Sequence, residues 1–481
     1  MERYDVAVIG GGIIGCAILR ELTKLNLSCV LLEAKPDVGA GTTKANGGLI
    51  HSGYDPTPGT VKSQVNALGN RLYPQLAREL GFSFRQTGSM VLGFSEQDLV
   101  HLRKLAANGL ANGVEGLQIV GQERIHELEP QASTEATCAL WCPHTGFVDP
   151  FEVTEALAEN AVHNGAVVHL DAPVVDVARE EGGFEVLTPN ETVQATWLVN
   201  AAGAHADDVA RMAGDNTLRI AWRQGNLLVL DKNCGVHDIM PLYPVPTPTT
   251  KGVVVIGTVH GNVIIGSTAV MRNKDDCDCY AADINELLAG ARKLAPALDP
   301  RKVIREFAGG RAVMADTNDF HISASSTVPG LVNVAGIQSP GVASAPAIAR
   351  RVVAIMGGLG MSLAPRPGFD PIREPPADFD VSSLEEQQRL IQKDCRFGHI
   401  VCRCETVTEA EIVEAIHRTP PATTVEAVKR RTRAGMGRCQ SGFCQSRVVE
   451  ILARELGIRP DEVRLEGDDS QIVYGPVKGA R

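Results

Sequence analysis

Aromatic residues make up only 4% of this 481-residue chain, too few for the stacking surfaces that single-stranded nucleic acids require. Positive charge is also scarce. Against 57 Asp and Glu stand 46 Lys and Arg, a formal charge of -11 that repels phosphate backbones and anionic membranes taken as a whole. Any anion must then meet a local basic site, and no nucleic-acid partner is expected. No uncharged apolar run is long enough to span a bilayer, and the opening MERYDVAVIG enters a β-type stretch with no charged leader before an apolar segment. The expectation is a cytoplasmic protein without a membrane span. Internal repeats and low-complexity tracts are missing too.

What the chain does have is glycine and clustered cysteine. With 44% hydrophobic residues and 48 Gly, the composition is that of a globular α/β protein rich in tight turns, long enough for two or three domains. Of the 12 Cys, five fall between Cys395 and Cys444, a crowding that suits metal ligation better than disulfides.

Residues 5–33 read as strand, glycine turn, helix and strand, one βαβ unit. Strand-like runs at 197–203 and 331–336 each end in Ala-Gly, the small residues expected where strand ends approach a cofactor. Between them NLLVL, GVVVIG and NVIIGS read as an antiparallel sheet. The expected fold is therefore α/β: a Rossmann-like cofactor-binding domain from about 1–80, 145–215 and 305–363, with an inserted antiparallel substrate sheet from about 81–144 and 216–304. A proline-rich stretch at 364–385 reads as a linker or wrapping arm. Helical patterns in 386–460 predict a small separate domain, leaving 461–481 as a tail.

Gly10, Gly12 and Gly15 form GxGxxG between strand and helix, and Glu33 ends the next strand 18 residues beyond Gly15. Glycines of this kind let the backbone approach a pyrophosphate at a helix N-terminus, while the acid accepts a ribose hydroxyl. The stretch after Glu33 supplies Thr42, Thr43, Gly47 and Gly48, small residues and hydroxyls suited to lie along a pyrophosphate and flavin, so FAD is favoured over NAD. Ala202, Gly203 and Gly336, at the ends of the later strands, join this cofactor set. His51 follows directly and is a candidate to accept a hydroxyl proton as hydride leaves, because imidazole is poised near neutral pH. Pro340 and Gly341 precede an Ala-rich helix whose N-terminus would face the flavin and favour negative charge there.

With these residues in view, the chain resembles the glycine/D-amino-acid oxidase superfamily over roughly residues 4–360. The strings NGGLIHSGYDPTPGTVKS, CPHTGFVDP, RQGNLLVL, YPVP, AGGRAV and SPGVASAPAIA are similar to segments of L-2-hydroxyglutarate dehydrogenases. A second likeness is to the FAD subunit of anaerobic glycerol-3-phosphate dehydrogenases. The resemblance implies that Arg311 sits at the substrate, where a guanidinium forks onto an anion. Glycerol-phosphate enzymes of that kind carry a GGK stretch in the last flavin-proximal loop, but this chain has Gly336-Ile337-Gln338-Ser339. The missing lysine favours a 2-hydroxy acid such as L-2-hydroxyglutarate, with glycerol 3-phosphate, an amino acid or amine, and a non-catalytic electron carrier as alternatives.

Cys402-x-Cys404 and Cys439-x4-Cys444 lie 34 residues apart. VCRCETVTEAEI and GMGRCQSGFC resemble the bacterioferritin-associated-ferredoxin-like domain, which implies a four-thiolate 2Fe-2S cluster. Zinc takes the same ligands and is the alternative. Arg396, Arg403, Lys429, Arg430, Arg431, Arg433 and Arg438 crowd this region, as if to offset cluster charge or meet an acidic redox partner. The expected partners are a small anionic substrate and a redox subunit or soluble carrier, with hetero- or homo-oligomers both open.

Overall fold

The protein is described here from a computed structural model covering residues 2–246 and 252–475. Strand Glu2–Ile9 pairs in parallel with Cys29–Leu32 on one side and with Thr192–Asn200 on the other. Val167–His169 extends the sheet beyond Cys29–Leu32, and Leu331–Ala335 extends it beyond Thr192–Asn200, both in parallel. Strands from four separated stretches thus make one doubly wound sheet, completed by the antiparallel strands Asp176–Glu180, Gly183–Leu187 and His321–Ala324. Central strands such as Val6 to Ile9 and Cys29 to Leu32 are buried on both faces, which is why they read as unbroken apolar runs. Helices Ile13–Thr23, Val61–Leu80, Pro150–His163 and Gly341–Gly358 cover one face through Ile18, Leu22, Tyr73, Leu157 and Ile348.

The second sheet has nine strands. It is antiparallel except where Leu242–Pro244 lies parallel to Ser89–Gly93, the junction that joins its two sequence segments. Strand Val303–Met314, expected with the FAD-binding stretch from 305, belongs instead to this sheet, where it pairs along the full length of Ile220–Leu230. Its apolar alternation is interrupted by Gly309 and Gly310, which hid it from a period-two reading. A Cβ on Gly310 would stand 1.9 Å from the Trp222 ring, so the glycine is what admits the indole.

The proline-rich stretch is a wrapping arm. Backbone bonds from Asn26 to Ala364 and from Arg366 to Lys24 tie it to the first helix, and the Arg373 guanidinium is buried against Glu159. Beyond it, helices Leu384–Lys393, Glu409–His417, Val425–Thr432 and Gln445–Leu456 appear where the patterns placed them. Thr408 and Thr424 cap the second and third, and Glu411 returns the Thr408 bond as a capping box. The stretch expected to be a tail is part of this module. Val463 is buried in its core, and Val425 and Glu426 donate backbone bonds to Arg464 and Leu465. The tail lay hidden because it packs by a few scattered apolar residues; its last six residues, 476–481, lie outside the described structure.

The module docks by buried ion pairs. Asp37 accepts from Arg430 at 3.0 Å and from Arg431 at 2.6 Å, and Glu155 stands 3.1 Å from Arg431. Three of the arginines expected to serve the cluster or a partner are therefore turned inward: Arg430 and Arg431 onto the FAD-binding body, and Arg433 onto Glu405 and Asn262. Their spacing on one helix could not reveal an acidic partner almost four hundred residues away.

Candidate functional site

A cavity of about 1680 Å³ runs between the two sheets. This exceeds the roughly 300–1,000 Å³ of drug-sized pockets, leaving room for a dinucleotide and a small substrate together. Gly10, Gly12, Glu33, Thr42, Thr43, Gly47, Ala202, Gly203, Pro340 and Gly341 line it, as do His51 and Arg311. Gly15, Gly48 and Gly336 stand behind the wall.

The three fingerprint glycines divide their work. Gly10 has φ +103°, and a Cβ there would meet the Ala201 carbonyl at 2.5 Å; on Gly15 it would meet the Gly10 carbonyl at 1.9 Å. Both are demanded by the packing of strand against helix. At Gly12 the nearest atom is Thr43 Oγ1 at 3.4 Å, so a side chain would enter only the cavity. Gly12 also caps helix Ile13–Thr23 without a side-chain bond of its own and with no acid in the first turn; the Ile13 N–H donates to Thr43 Oγ1 at 3.1 Å, and the positive end of the helix faces the cavity without an acid to neutralise it. Glu33 is buried and accepts from the backbone N–H of Gly11 at 2.5 Å and of Lys35 at 2.8 Å. Burial pushes its carboxyl up, against those two N–H groups, which favour the charge. A second open helix start, at Pro340 and Gly341, reaches the same cavity. These features fit FAD: a wall without Cβ atoms, a helix start with no acid in its first turn and an acid at the close of the second strand. Accordingly, Gly12→Val should abolish flavin retention in a folded protein, whereas Gly15→Val should prevent folding of the first domain. Stoichiometric flavin in purified Gly12→Val would remove the glycine from the site.

The substrate end is built by strand register. Arg311 lies directly across from Arg223 in the pairing of Val303–Met314 with Ile220–Leu230. Arg311 donates to the Thr268 carbonyl at 3.1 Å and to Ser267 Oγ; a Cβ on Gly225 would stand 2.4 Å from its Nη2. Burial and the neighbouring Arg223 push the Arg311 guanidinium down to about 10, so it stays charged at neutral pH. Among the described residues, the Arg223 guanidinium donates to the Gln338 side-chain oxygen, at 3.4 Å. Two adjacent cations, neither ion-paired to a carboxylate among the described residues, make a strong anion site. Sequence reasoning missed Arg223. The available signal was the period-two placing of Arg223, Gly225 and Leu227 on the strand face that lines the cavity. His51 lines the same space, with its Nδ1 3.3 Å from the Tyr243 hydroxyl and its Nε2 3.5 Å from Ser339 Oγ. Tyr243, also missed, is 4% exposed and holds the imidazole ring from behind.

In the C-terminal module the four cysteines form two pairs, and among the described residues no group of three or more ligating side chains converges on one point. Cys404 and Cys439 have sulfurs 3.7 Å apart. Cys402 and Cys444 are in contact, and the Cys444 thiol together with nearby backbone N–H groups brings Cys402 down to about 5, a thiolate at neutral pH. Cys402 and Cys444 are buried, while Cys404 and Cys439 are partly exposed, so one side of the site faces outward. Cys395, a spare in the sequence, is exposed.

A nucleotide-receiving βαβ sheet, a cavity shared with a second sheet and an appended module carrying two cysteine pairs point to a flavoprotein oxidoreductase with an iron-sulfur domain. Comparison with known proteins agrees. Residues 5–355 match the DAO family, FAD dependent oxidoreductase, and residues 400–454 match the BFD-like [2Fe-2S] binding domain. The chain belongs to the DAO family; its cofactors are FAD and a 2Fe-2S cluster. It is 43% identical over 476 residues to a glycerol 3-phosphate dehydrogenase of Caloramator mitchellensis, covering 99% of each chain. It is 31% identical over 369 residues to a glycerol 3-phosphate oxidase of Mycoplasma genitalium, covering 74% of this chain and 95% of the relative. Among solved structures, the dithionite-reduced L-alpha-glycerophosphate oxidase of Mycoplasma pneumoniae with FAD bound superposes with a TM-score of 0.75 at 29% identity, covering 79% of this chain and all of that one. Among the described residues no helix is long and apolar enough to cross a membrane.

Proposed function

We propose that the protein is a glycerol 3-phosphate dehydrogenase whose electrons leave through the iron-sulfur module to a one-electron acceptor. The 2-hydroxy acid favoured by the missing lysine is set aside. That inference looked for the second cation in the loop at 336–341, whereas Arg223 stands beside Arg311 from the neighbouring strand. The observation carrying the substrate is this pair of cations, suited to a phosphate dianion, together with the names of relatives that match most of the chain.

Arg311 and Arg223 hold the phosphate, placing the carbinol carbon in the cavity beside His51. The imidazole takes the hydroxyl proton, with Tyr243 fixing the ring plane. Bound FAD supplies the hydride acceptor and the 2Fe-2S cluster the single-electron exit, the cluster held by Cys402, Cys404, Cys439 and Cys444. What supports export is a contrast of lengths. The glycerol-phosphate relatives named as oxidases are matched over 95–100% of their own length by only 74–79% of this chain, while the one named as a glycerol 3-phosphate dehydrogenase matches end to end.

Anaerobic mixing of the FAD-loaded protein with glycerol 3-phosphate, L-2-hydroxyglutarate and amino acids tests the substrate. Flavin absorbance should bleach with glycerol 3-phosphate alone; bleaching by hydroxyglutarate and not by the phosphate would overturn the assignment. Arg311→Lys keeps the charge but loses the fork. Losing one charge-assisted bond of about 1.5–3 kcal/mol should lower kcat/KM for glycerol 3-phosphate roughly 10- to 150-fold. An unchanged kcat/KM would take Arg311 out of the phosphate site.

A further inference from the structure

The outward side of the cysteine site presents an unusual surface. Phe443, immediately before Cys444, is 85% exposed. Arg403, between Cys402 and Cys404, is exposed, as is Arg438, immediately before Cys439. Arg447 lies one helical turn beyond Cys444 and is exposed as well. Arg305 reaches Gln440, the residue after Cys439, at 3.4 Å. Each ligand-bearing turn thus carries an exposed cation or ring covalently next to a sulfur ligand. Arg438 and Arg447 have carboxylate neighbours, Asp231 and Glu450, each at 3.3 Å. Among the described residues Arg403 and Arg305 form no such pair. Glu306, beside Arg305, is an exposed acid. A positive patch around a bare aromatic ring, on a chain of net charge -11, is a local inversion of sign placed where the partly exposed thiols Cys404 and Cys439 face solvent.

We propose that this patch is the docking surface for an acidic one-electron carrier protein, with Phe443 as its apolar centre and Arg403 as its principal cation. The proposal rests on the electron-export reading above. Each alcohol oxidised to its ketone releases two electrons and two protons, so two carriers are reduced in turn, one electron each, and the protons pass to solvent. Complementary charge raises encounter rate more than final affinity and is screened by salt. A desolvated aromatic at the middle of a charged rim is the usual place for binding energy to concentrate.

Two haem proteins of opposite charge serve as probes: the acidic soluble domain of cytochrome b5 and basic cytochrome c, each followed anaerobically by haem absorbance with glycerol 3-phosphate as donor. For the holoenzyme, kcat/KM with the b5 domain should fall steeply with rising salt, and with cytochrome c it should be flat or rise. Arg403→Glu should lower kcat/KM for the b5 domain at least about tenfold at low salt, chiefly through KM, and flatten its salt dependence. Phe443→Ala should raise KM for the b5 domain, and Phe443→Tyr should restore it. Flavin bleaching by glycerol 3-phosphate and the cluster absorbance should be the same in every variant. Four results would overturn the docking surface: unchanged b5 kinetics in both Arg403→Glu and Phe443→Ala; the attractive salt signature with cytochrome c instead; co-sedimentation with anionic vesicles that Phe443→Ala abolishes; or a dimer that Phe443→Ala dissolves. Absence of bleaching in the wild type would instead overturn the substrate reading, and bleaching without reduction of either haem protein would overturn the export reading on which the surface rests.

Discussion

Cys439→Ser should leave glycerol 3-phosphate able to bleach the flavin anaerobically while turnover with one-electron acceptor proteins falls to background. On the reading proposed above, hydride transfer uses Arg311, Arg223 and His51, which line the cavity between the two large sheets, whereas Cys439 lies beside Cys404 in the C-terminal module. Cys439 is partly exposed and paired with Cys404 at 3.7 Å, so a serine there removes one ligand without opening a core cavity. Iron content and visible absorbance of the purified variant provide the readout independent of turnover: both should drop, with the module still folded around Val407, Ile412, Val428 and Leu452. Equal loss of bleaching and of acceptor turnover would sink the division of labour. So would full acceptor turnover in a variant shown to lack iron.

Asp37→Ala should destabilise the docked arrangement by about 3–5 kcal/mol, the range for leaving buried charges without their partner. Both guanidiniums that Asp37 receives have side chains no more than 5% exposed, and the acids that remain, Glu466 on Arg430 and Glu155 on Arg431, do not replace its two oxygens. Asp37 lies in the loop that leads from Glu33 to Thr42 and Thr43, so its loss should weaken FAD retention as well as docking. Limited proteolysis should then release the module by cleavage in residues 376–383, with flavin lost in parallel. The sharper check is a triple variant, Asp37→Ala with Arg430→Met and Arg431→Met. Replacing all three charges should cost less than removing the acid alone, since no buried guanidinium is left unpaired and burial already pushes the Glu155 carboxyl up to about 7, toward its neutral form. A triple variant markedly less stable than Asp37→Ala would show that the ion pairs themselves, rather than avoidance of orphaned charge, hold the interface.

Much of the site was legible before any coordinates, and the reason is that it is local. A glycine turn needing φ +103° at Gly10, an acid at the end of the second strand and paired cysteines on tight turns all depend on residue type and short spacing. The same holds for the helices of the module, whose caps at Thr408 and Thr424 sit beside the residues they serve. Where the reading went astray, the missing information was long-range. Val303–Met314 was assigned to the wrong sheet because its pairing partner lies some eighty residues earlier. The tail beyond 460 was left unpacked because Val463 and Leu465 mean little without the helices they cover.

The amino-acid sequence by itself thus determined the doubly wound nucleotide sheet, the flavin-lining stretch and the four-cysteine module, since each follows from backbone conformations that only certain residues permit. Tertiary structure alone decided which charges meet. The register of two long strands set Arg223 beside Arg311 and so changed the favoured anion from a carboxylate to a phosphate. The docking of the module turned Arg430 and Arg431 inward onto Asp37 and left Arg403 and Phe443 outside. Coulomb energies depend on separation and burial, and neither quantity exists until the chain has folded.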